Sequence, residues 1–222
     1  MILKHFLLYS ENDNGVADVE KNFSFQSRCI TSLYEKCFSK FSTENIKQIN
    51  IFCVKESPKL NLTIVDGFCD VEILYDVRDF FQLDDQQRKE VILEVLKQGI
   101  DKVIKLYNWD NRPFDNAYNC VKKASYKNEY VWKKKPKSSP NRCLKAEVLI
   151  NHDLYLCEIY LVVKDKNGNE IVKRLVSTTK PDEIIFSHFL GELNWLSNNE
   201  VALFNRPKSK YISVHLKEVL FK

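Results

Sequence analysis

Apolar residues repeat with two different periods in the two halves of this 222-residue chain. Over residues 85–107 they recur every three to four positions, which predicts one long amphipathic helix. Asp84 and Gln87 precede this helix in the spacing of a capping box. From residue 143 onward the apolar residues alternate or form short runs of strand length. The sequence therefore predicts an α+β protein with an N-terminal mixed α/β portion and a C-terminal portion that is mostly antiparallel β-sheet.

Proline and glycine mark where the predicted elements begin and turn. Pro113 is placed to open a second helix, so residues 84–126 are expected to form a helical hairpin. Asp-Gly at 66–67 and Asn-Gly at 167–168 each stand between two alternating segments. Both dipeptides favour the backbone angles of tight hairpin turns, and they predict two β-hairpins.

The stretch 133–142 is rich in lysine, serine and proline. This composition is typical of an exposed basic loop or a linker between domains. It would divide the chain into a mixed α/β portion, 1–132, that contains the helical hairpin, and a mainly antiparallel β portion, 143–222. The length also allows one continuous domain.

The seven cysteines are odd in number and contain no C-x-x-C pair. Most have apolar neighbours, as expected of buried free thiols. This usage favours a reduced protein and predicts a cytoplasmic location. No segment approaches the roughly 18 apolar residues that a membrane helix needs, so no membrane association is expected.

Local signatures of catalysis are missing from the sequence. It contains no G-x-S-x-G elbow, no glycine-rich phosphate loop and no H-E-x-x-H pair. The chain has only five glycines, which argues against a nucleotide-binding loop, and its four histidines are scattered singly. We therefore predict no catalytic residue, no metal ligand and no cofactor, and we expect a protein that is not an enzyme.

Acidic residues concentrate between residues 66 and 94, where nine carboxylates and three basic residues give a local charge of −6. The candidate acidic binding patch is Asp70, Glu72, Asp76 and Asp79. Asp70, Glu72 and Asp76 alternate with apolar residues and are expected to share the solvent face of a strand. A carboxylate row of this kind could hold a divalent cation, as in metal-dependent nucleases. The alternative is a solvated strand face followed by acidic residues at a helix N-terminus.

Basic residues concentrate between residues 122 and 145, where nine lysines and arginines and one glutamate give a local charge of +8. Aromatic residues among them offer rings for base stacking beside cations for phosphates. The alternative is a solvated lysine-rich loop whose aromatic residues pack inward. The candidate basic binding patch is Lys122, Lys123, Lys127, Tyr130, Trp132, Lys133, Lys134, Lys135, Lys137 and Arg142.

Two opposite charged windows without catalytic motifs favour a small cytosolic module that binds another protein through charge-complementary surfaces, for example an antagonist or immunity-type protein. A protein partner is expected, but the sequence does not identify it. The main alternative is a nucleic-acid-binding protein that uses residues 122–145. A metal-dependent nuclease is the less favoured alternative.

Overall fold

The computed structural model describes residues 1–10, 13–56, 58 and 62–216, apart from the side chain of Lys134. The chain forms two compact units, Met1–Asn128 with Asp153–Tyr155 and Glu129–His152 with Leu156–Lys222. Helices and a mixed sheet in the first unit and mostly antiparallel sheets in the second confirm the predicted α+β class. Among the described residues no helix is long and apolar enough to cross a membrane.

The first unit is built around a four-stranded sheet. The strands of this unit are β1 (Ile2–Leu3), β2 (His5–Ser10), β3 (Phe41–Ser42), β4 (Gln48–Val54), β5 (Thr63–Val65) and β6 (Phe68–Leu74). The sheet has the order β2-β4-β6-β5, in which β2, β4 and β6 are parallel and β5 is antiparallel to β6. Strands β1 and β3 form a separate pair. Positive φ angles at Asp66 and Gly67 make the turn between β5 and β6, which confirms the first predicted hairpin.

The helices of the first unit are α1 (Phe23–Cys37), α2 (Val77–Phe80), α3 (Asp85–Tyr107) and α4 (Arg112–Lys123). The long helix α3 has the predicted bounds. Its capping box forms because Asp84 accepts a hydrogen bond from the Gln87 backbone at 2.8 Å, and the Gln87 side chain accepts one from the Asp84 backbone at 3.1 Å. Pro113 lies in the first turn of α4, as predicted.

Helices α1 and α3 pack on the same face of the first sheet. On that face the ring of Phe6 in β2 meets the ring of Tyr34 in α1 with centroids 5.1 Å apart. Helix α3 approaches β4 closely at Gly99, where an added Cβ would lie 2.5 Å from the Ile51 side chain. Glycine is therefore required there by space rather than by backbone angle.

The second unit contains two sheets. Its strands are β7 (Asn128–Ser138), β8 (Leu144–His152), β9 (Cys157–Asp165), β10 (Glu170–Thr179), β11 (Glu192–Ser197), β12 (Glu200–Phe204) and β13 (Tyr211–His215), and a short helix α5 (Glu183–Phe186) runs into a 3-10 turn (Ser187–Phe189). One sheet has the order β10-β9-β8-β7 and the other the order β11-β12-β13. Val148 and Leu161 from the four-stranded sheet of this unit and Val201 from its three-stranded sheet share one hydrophobic core, which we call the second core. The turn at Gly168 confirms the second predicted hairpin.

The prediction of uniformly reduced cysteines is wrong. Cys37 at the end of α1 and Cys120 in α4 form a disulfide, and the other five cysteines form none. The two partners are 83 residues apart, and their Cα atoms are 5.9 Å apart. This pairing depends on the packing of α4 against α1, which spacing along the chain does not reveal. The odd cysteine count therefore does not support a cytoplasmic location.

The predicted loop or linker at 133–142 is also different in the structure, because residues 133–138 belong to strand β7. The second unit already begins at Glu129, so the lysine-rich stretch lies inside that unit. Strand β7 is at the edge of its sheet, where Pro136 needs no hydrogen-bonding partner for its nitrogen. An edge strand tolerates proline and lysine, and its composition therefore resembles that of a loop.

Candidate functional site

One face of the four-stranded sheet in the first unit packs with helices α1 and α3 into the hydrophobic core of that unit, which we call the first core. The opposite face of this sheet is directed away from the first core, and we call it the open face. Burial alternates along β2, β4 and β6, and the less buried positions form this face. None of its apolar side chains belongs to the first core or packs against it in the described part of the chain. Its residues are His5, Leu7, Tyr9, Gln48, Asn50, Phe52, Val54, Thr63, Val65, Phe68, Asp70, Glu72 and Leu74.

Aromatic and aliphatic side chains occupy much of the open face. The rings of Tyr9 and Phe52, on neighbouring strands, stack with centroids 5.2 Å apart. Leu74 is 61% exposed, and Val65 and Phe68, paired across β5 and β6, are 60% and 38% exposed. The register separates Val65 and Phe68 from Tyr9, Phe52 and Leu74, so the exposed apolar side chains form two groups on this face. Exposed aromatic and aliphatic groups outside a core are typical of contact sites on folded proteins.

A polar row crosses the centre of the open face. The Gln48 side chain donates a hydrogen bond to Asn50 Oδ1 at 2.7 Å, and the Asn50 amide donates to Asp70 Oδ1 at 2.7 Å. The strand register places Glu72 opposite Phe52. Asp70 and Glu72 therefore share one face, as their alternation in sequence predicts, and they give the face a negative charge beside its aromatic rings.

Asp76 does not join Asp70 and Glu72, contrary to the prediction. The chain leaves the sheet after Leu74, and Asp76 becomes the N-cap of α2, where it accepts a hydrogen bond from the Arg78 backbone at 3.0 Å. It also forms an ion pair with the Arg78 guanidinium, whose hydrogen bonds lower the pKa of Asp76 to about 2. Asp79 is an exposed residue of α2. The predicted acidic patch thus reduces to Asp70 and Glu72.

The described carboxylates Asp70 and Glu72 do not form with Asp76 the carboxylate row on which the metal-dependent nuclease hypothesis depends. Cation sites of this type use several oxygen ligands around one point. Among the described residues no group of three or more His, Cys, Asp or Glu side chains is close enough to hold a metal ion.

The candidate basic patch belongs to two units. Lys122, Lys123 and Lys127 are exposed on or after the last turn of α4 in the first unit, and the rest of the patch lies in the second unit. Tyr130 and Trp132 pack against the second core, so their rings are not presented as a stacking platform. The alternative given by the sequence, aromatic residues that pack inward, therefore describes Tyr130 and Trp132.

The remaining basic residues follow the edge strand and the turn after it. Lys133 places its ammonium 4.0 Å from the centroid of the Trp132 ring, and Lys137 donates a hydrogen bond to Asn194 Oδ1 at 2.5 Å. Lys135 and Arg142 are exposed. The side chain of Lys134 lies outside the described part of the chain. Lysines on an exposed strand edge discourage pairing with other strands, which accounts for them without a ligand.

Sequence reasoning missed the aromatic half of the open face. Leu7, Tyr9 and Phe52 lie in strands that carry apolar residues at odd and even positions alike, and strands of this kind are normally covered on both faces. The signal that could have found them is strand parity, by which we mean that odd-numbered and even-numbered residues of a strand face opposite sides of the sheet, as they do in β4. Comparisons with family models, curated proteins and solved structures found no match for the chain. Its function must therefore be inferred from its own residues.

Proposed function

We propose that this protein is a non-catalytic protein-binding module and that the open face is its docking surface. The observation that carries the proposal is that, among the described residues, the apolar side chains on the open face of the parallel strands β2, β4 and β6 neither belong to the first core nor pack against it. Parallel sheets occur almost only with both faces covered. A partner that covers the open face would complete the arrangement that such strands normally have.

The chemistry of the open face favours a partner surface with an apolar centre and cationic side chains. Tyr9, Phe52 and Leu74 provide apolar area, and aromatic residues are enriched at the centres of protein interfaces. The Asp70 carboxylate lies in the same face and would attract lysine or arginine. The Lys47 ammonium lies 4.3 Å from the centroid of the Phe68 ring at one end of this face, whereas the carboxylates of Asp70 and Glu72 would repel nucleic-acid phosphates.

An antagonist of the immunity type would act in this way, because it neutralises a basic partner by covering it and needs no reacting group. Opposite charges on the two surfaces would accelerate the encounter and select the partner. The apolar centre would then slow dissociation, since differences in affinity between related complexes are mostly differences in dissociation rate.

The experiment places a photo-crosslinking amino acid at Leu74 in the full chain, in cells of the source organism. The matched control places it at Leu106, which lies in α3 of the same unit and is similarly exposed at 63%. We expect a defined protein adduct from position 74 and not from position 106. The identified partner is then titrated against wild type, Leu74→Arg and Leu106→Arg.

Binding should be lost in Leu74→Arg, retained in Leu106→Arg and weakened by salt. Unchanged circular dichroism and melting temperature would establish that Leu74→Arg is folded. Equal labelling from both positions, or equal binding by both variants, would refute the docking surface. A complex that nuclease treatment dissolves would refute the protein-binding proposal and favour the nucleic-acid alternative.

A further inference from the structure

The second unit contains a pocket of about 350 Å³ that is lined by residues of both its sheets. This volume falls in the range of small-molecule sites, roughly 300–1,000 Å³. Its floor is apolar, with Val176 from β10, Phe189 from the 3-10 turn and the buried Leu203 from β12. Tyr211 and Ile212 of β13 form an apolar rim and are partly exposed.

The polar groups of the pocket are cationic or neutral. Lys210 and His188 line it together with the neutral Ser177 and Asn205, and none of the lining residues that the structure describes carries a carboxylate. In the described part of the chain no acidic side chain forms an ion pair with Lys210. A pocket with an apolar floor and one cationic side favours a ligand that combines an apolar group with a negative charge.

Backbone contacts fix the mouth of the pocket. The Arg206 amide donates a hydrogen bond to the His188 carbonyl oxygen at 2.9 Å, and the Lys210 amide donates to Asn205 Oδ1 at 3.1 Å. Gly191 lies so close to β12 that an added Cβ would be 2.1 Å from the Asn205 carbonyl oxygen. These contacts hold both basic residues on a preformed frame, which lowers the entropic cost of binding.

We propose that this pocket binds a small apolar carboxylate, with the carboxylate at Lys210 and His188 and the apolar group on the floor formed by Val176, Phe189 and Leu203. Two sources offer this chemistry, a free short-chain carboxylate and the C-terminal carboxylate of a peptide that ends in an apolar residue. The site lies wholly in the second unit and does not depend on the docking surface of the first.

The test titrates octanoate into the full-length protein by calorimetry, with 1-octanol as the uncharged counterpart. A parallel arm uses a short peptide that ends in leucine, with a free or an amidated C-terminus. We expect octanoate or the free-acid peptide to bind, and 1-octanol and the amidated peptide to bind much more weakly. Whichever acid binds identifies the source of the carboxylate.

Variants then locate the binding. Lys210→Met should weaken binding of the acid about tenfold, which corresponds to about 1.4 kcal/mol. Lys208→Met is the matched control, because Lys208 is in the same turn, pairs with Glu192 and does not line the pocket. Ile212→Trp should abolish binding by filling the rim, and its melting temperature shows whether it is folded. No binding of either acid at millimolar concentration, or equal affinity of Lys210→Met and wild type, would overturn the proposal.

Discussion

The disulfide between Cys37 and Cys120 should contribute a large share of the stability of the first unit. It closes a loop of 83 residues between α1 and α4. In the chain-entropy description, a cross-link of this span restricts the unfolded state by about 4.5 kcal/mol at 25 °C. One kcal/mol corresponds to about 2–4 °C of melting temperature in a chain of this size. Reduction, or the double variant Cys37→Ser with Cys120→Ser, should therefore lower the melting temperature of the first unit by about 10–15 °C.

The assay combines a thiol count with thermal unfolding. Denatured but unreduced protein should react at five cysteines, and reduced protein should react at all seven. The control variant Cys143→Ser removes an exposed free thiol and should leave the melting temperature unchanged. Seven reactive thiols without reductant, or equal melting of the double variant and wild type, would refute the reasoning. The same count on protein from its own cells tests the predicted cytoplasmic location, because disulfides persist mainly in oxidising compartments.

Three further predictions concern packing, pH and the strand edge. Gly99→Ala should cost about 1–3 kcal/mol in urea unfolding, because its Cβ would overlap Ile51, and Ile51→Ala in the same chain should make the added methyl tolerable. The Glu35 carboxylate, 3.7 Å from His5 Nδ1, raises the pKa of His5 above 6.5 against the opposing effect of burial, so protonated His5 stabilises the fold. This stabilisation is complete below pH 6.5 and is lost as pH rises through the raised pKa of folded His5. The melting temperature of the wild type should therefore fall over this pH range, and the melting temperature of His5→Gln should not show this fall. Lys135→Val should remove a charge from the edge of β7 and cause concentration-dependent self-association, measured by light scattering, whereas unchanged monomer would contradict the edge interpretation.

Local patterns predicted the elements whose signals are local. The capping box before α3 and the glycine turns at 66–67 and 167–168 each depend on a few neighbouring residues, and the structure contains all three. The disulfide was not predictable in the same way, because Cys37 and Cys120 meet only after α4 has packed on α1. Edge strand β7 was mistaken for a loop because the tolerance of an edge for proline depends on sheet order, which is a property of the whole unit.

The candidate site was predictable only where strand parity applies. Asp70 and Glu72 are two residues apart in one strand, so their shared face follows from the alternation of a β-strand. Asp76 keeps the same parity in sequence but lies beyond the end of the strand, where capping α2 and pairing with Arg78 determine its position. Parity thus holds only as far as the strand continues.

Charge sums over sequence windows have a related weakness, because they add side chains that serve unrelated purposes. In the acidic window Asp76 and Asp84 cap helices, where each carboxylate accepts a backbone hydrogen bond and interacts with the helix N-terminus. In the basic window Lys133 and Lys137 contact neighbouring groups along an exposed strand edge. A binding surface instead requires charges that share a face with apolar area, and Asp70 meets this condition because it lies in the open face with the stacked aromatic rings. The small carboxylate pair of the open face is therefore a stronger basis for a partner than either of the larger charge totals.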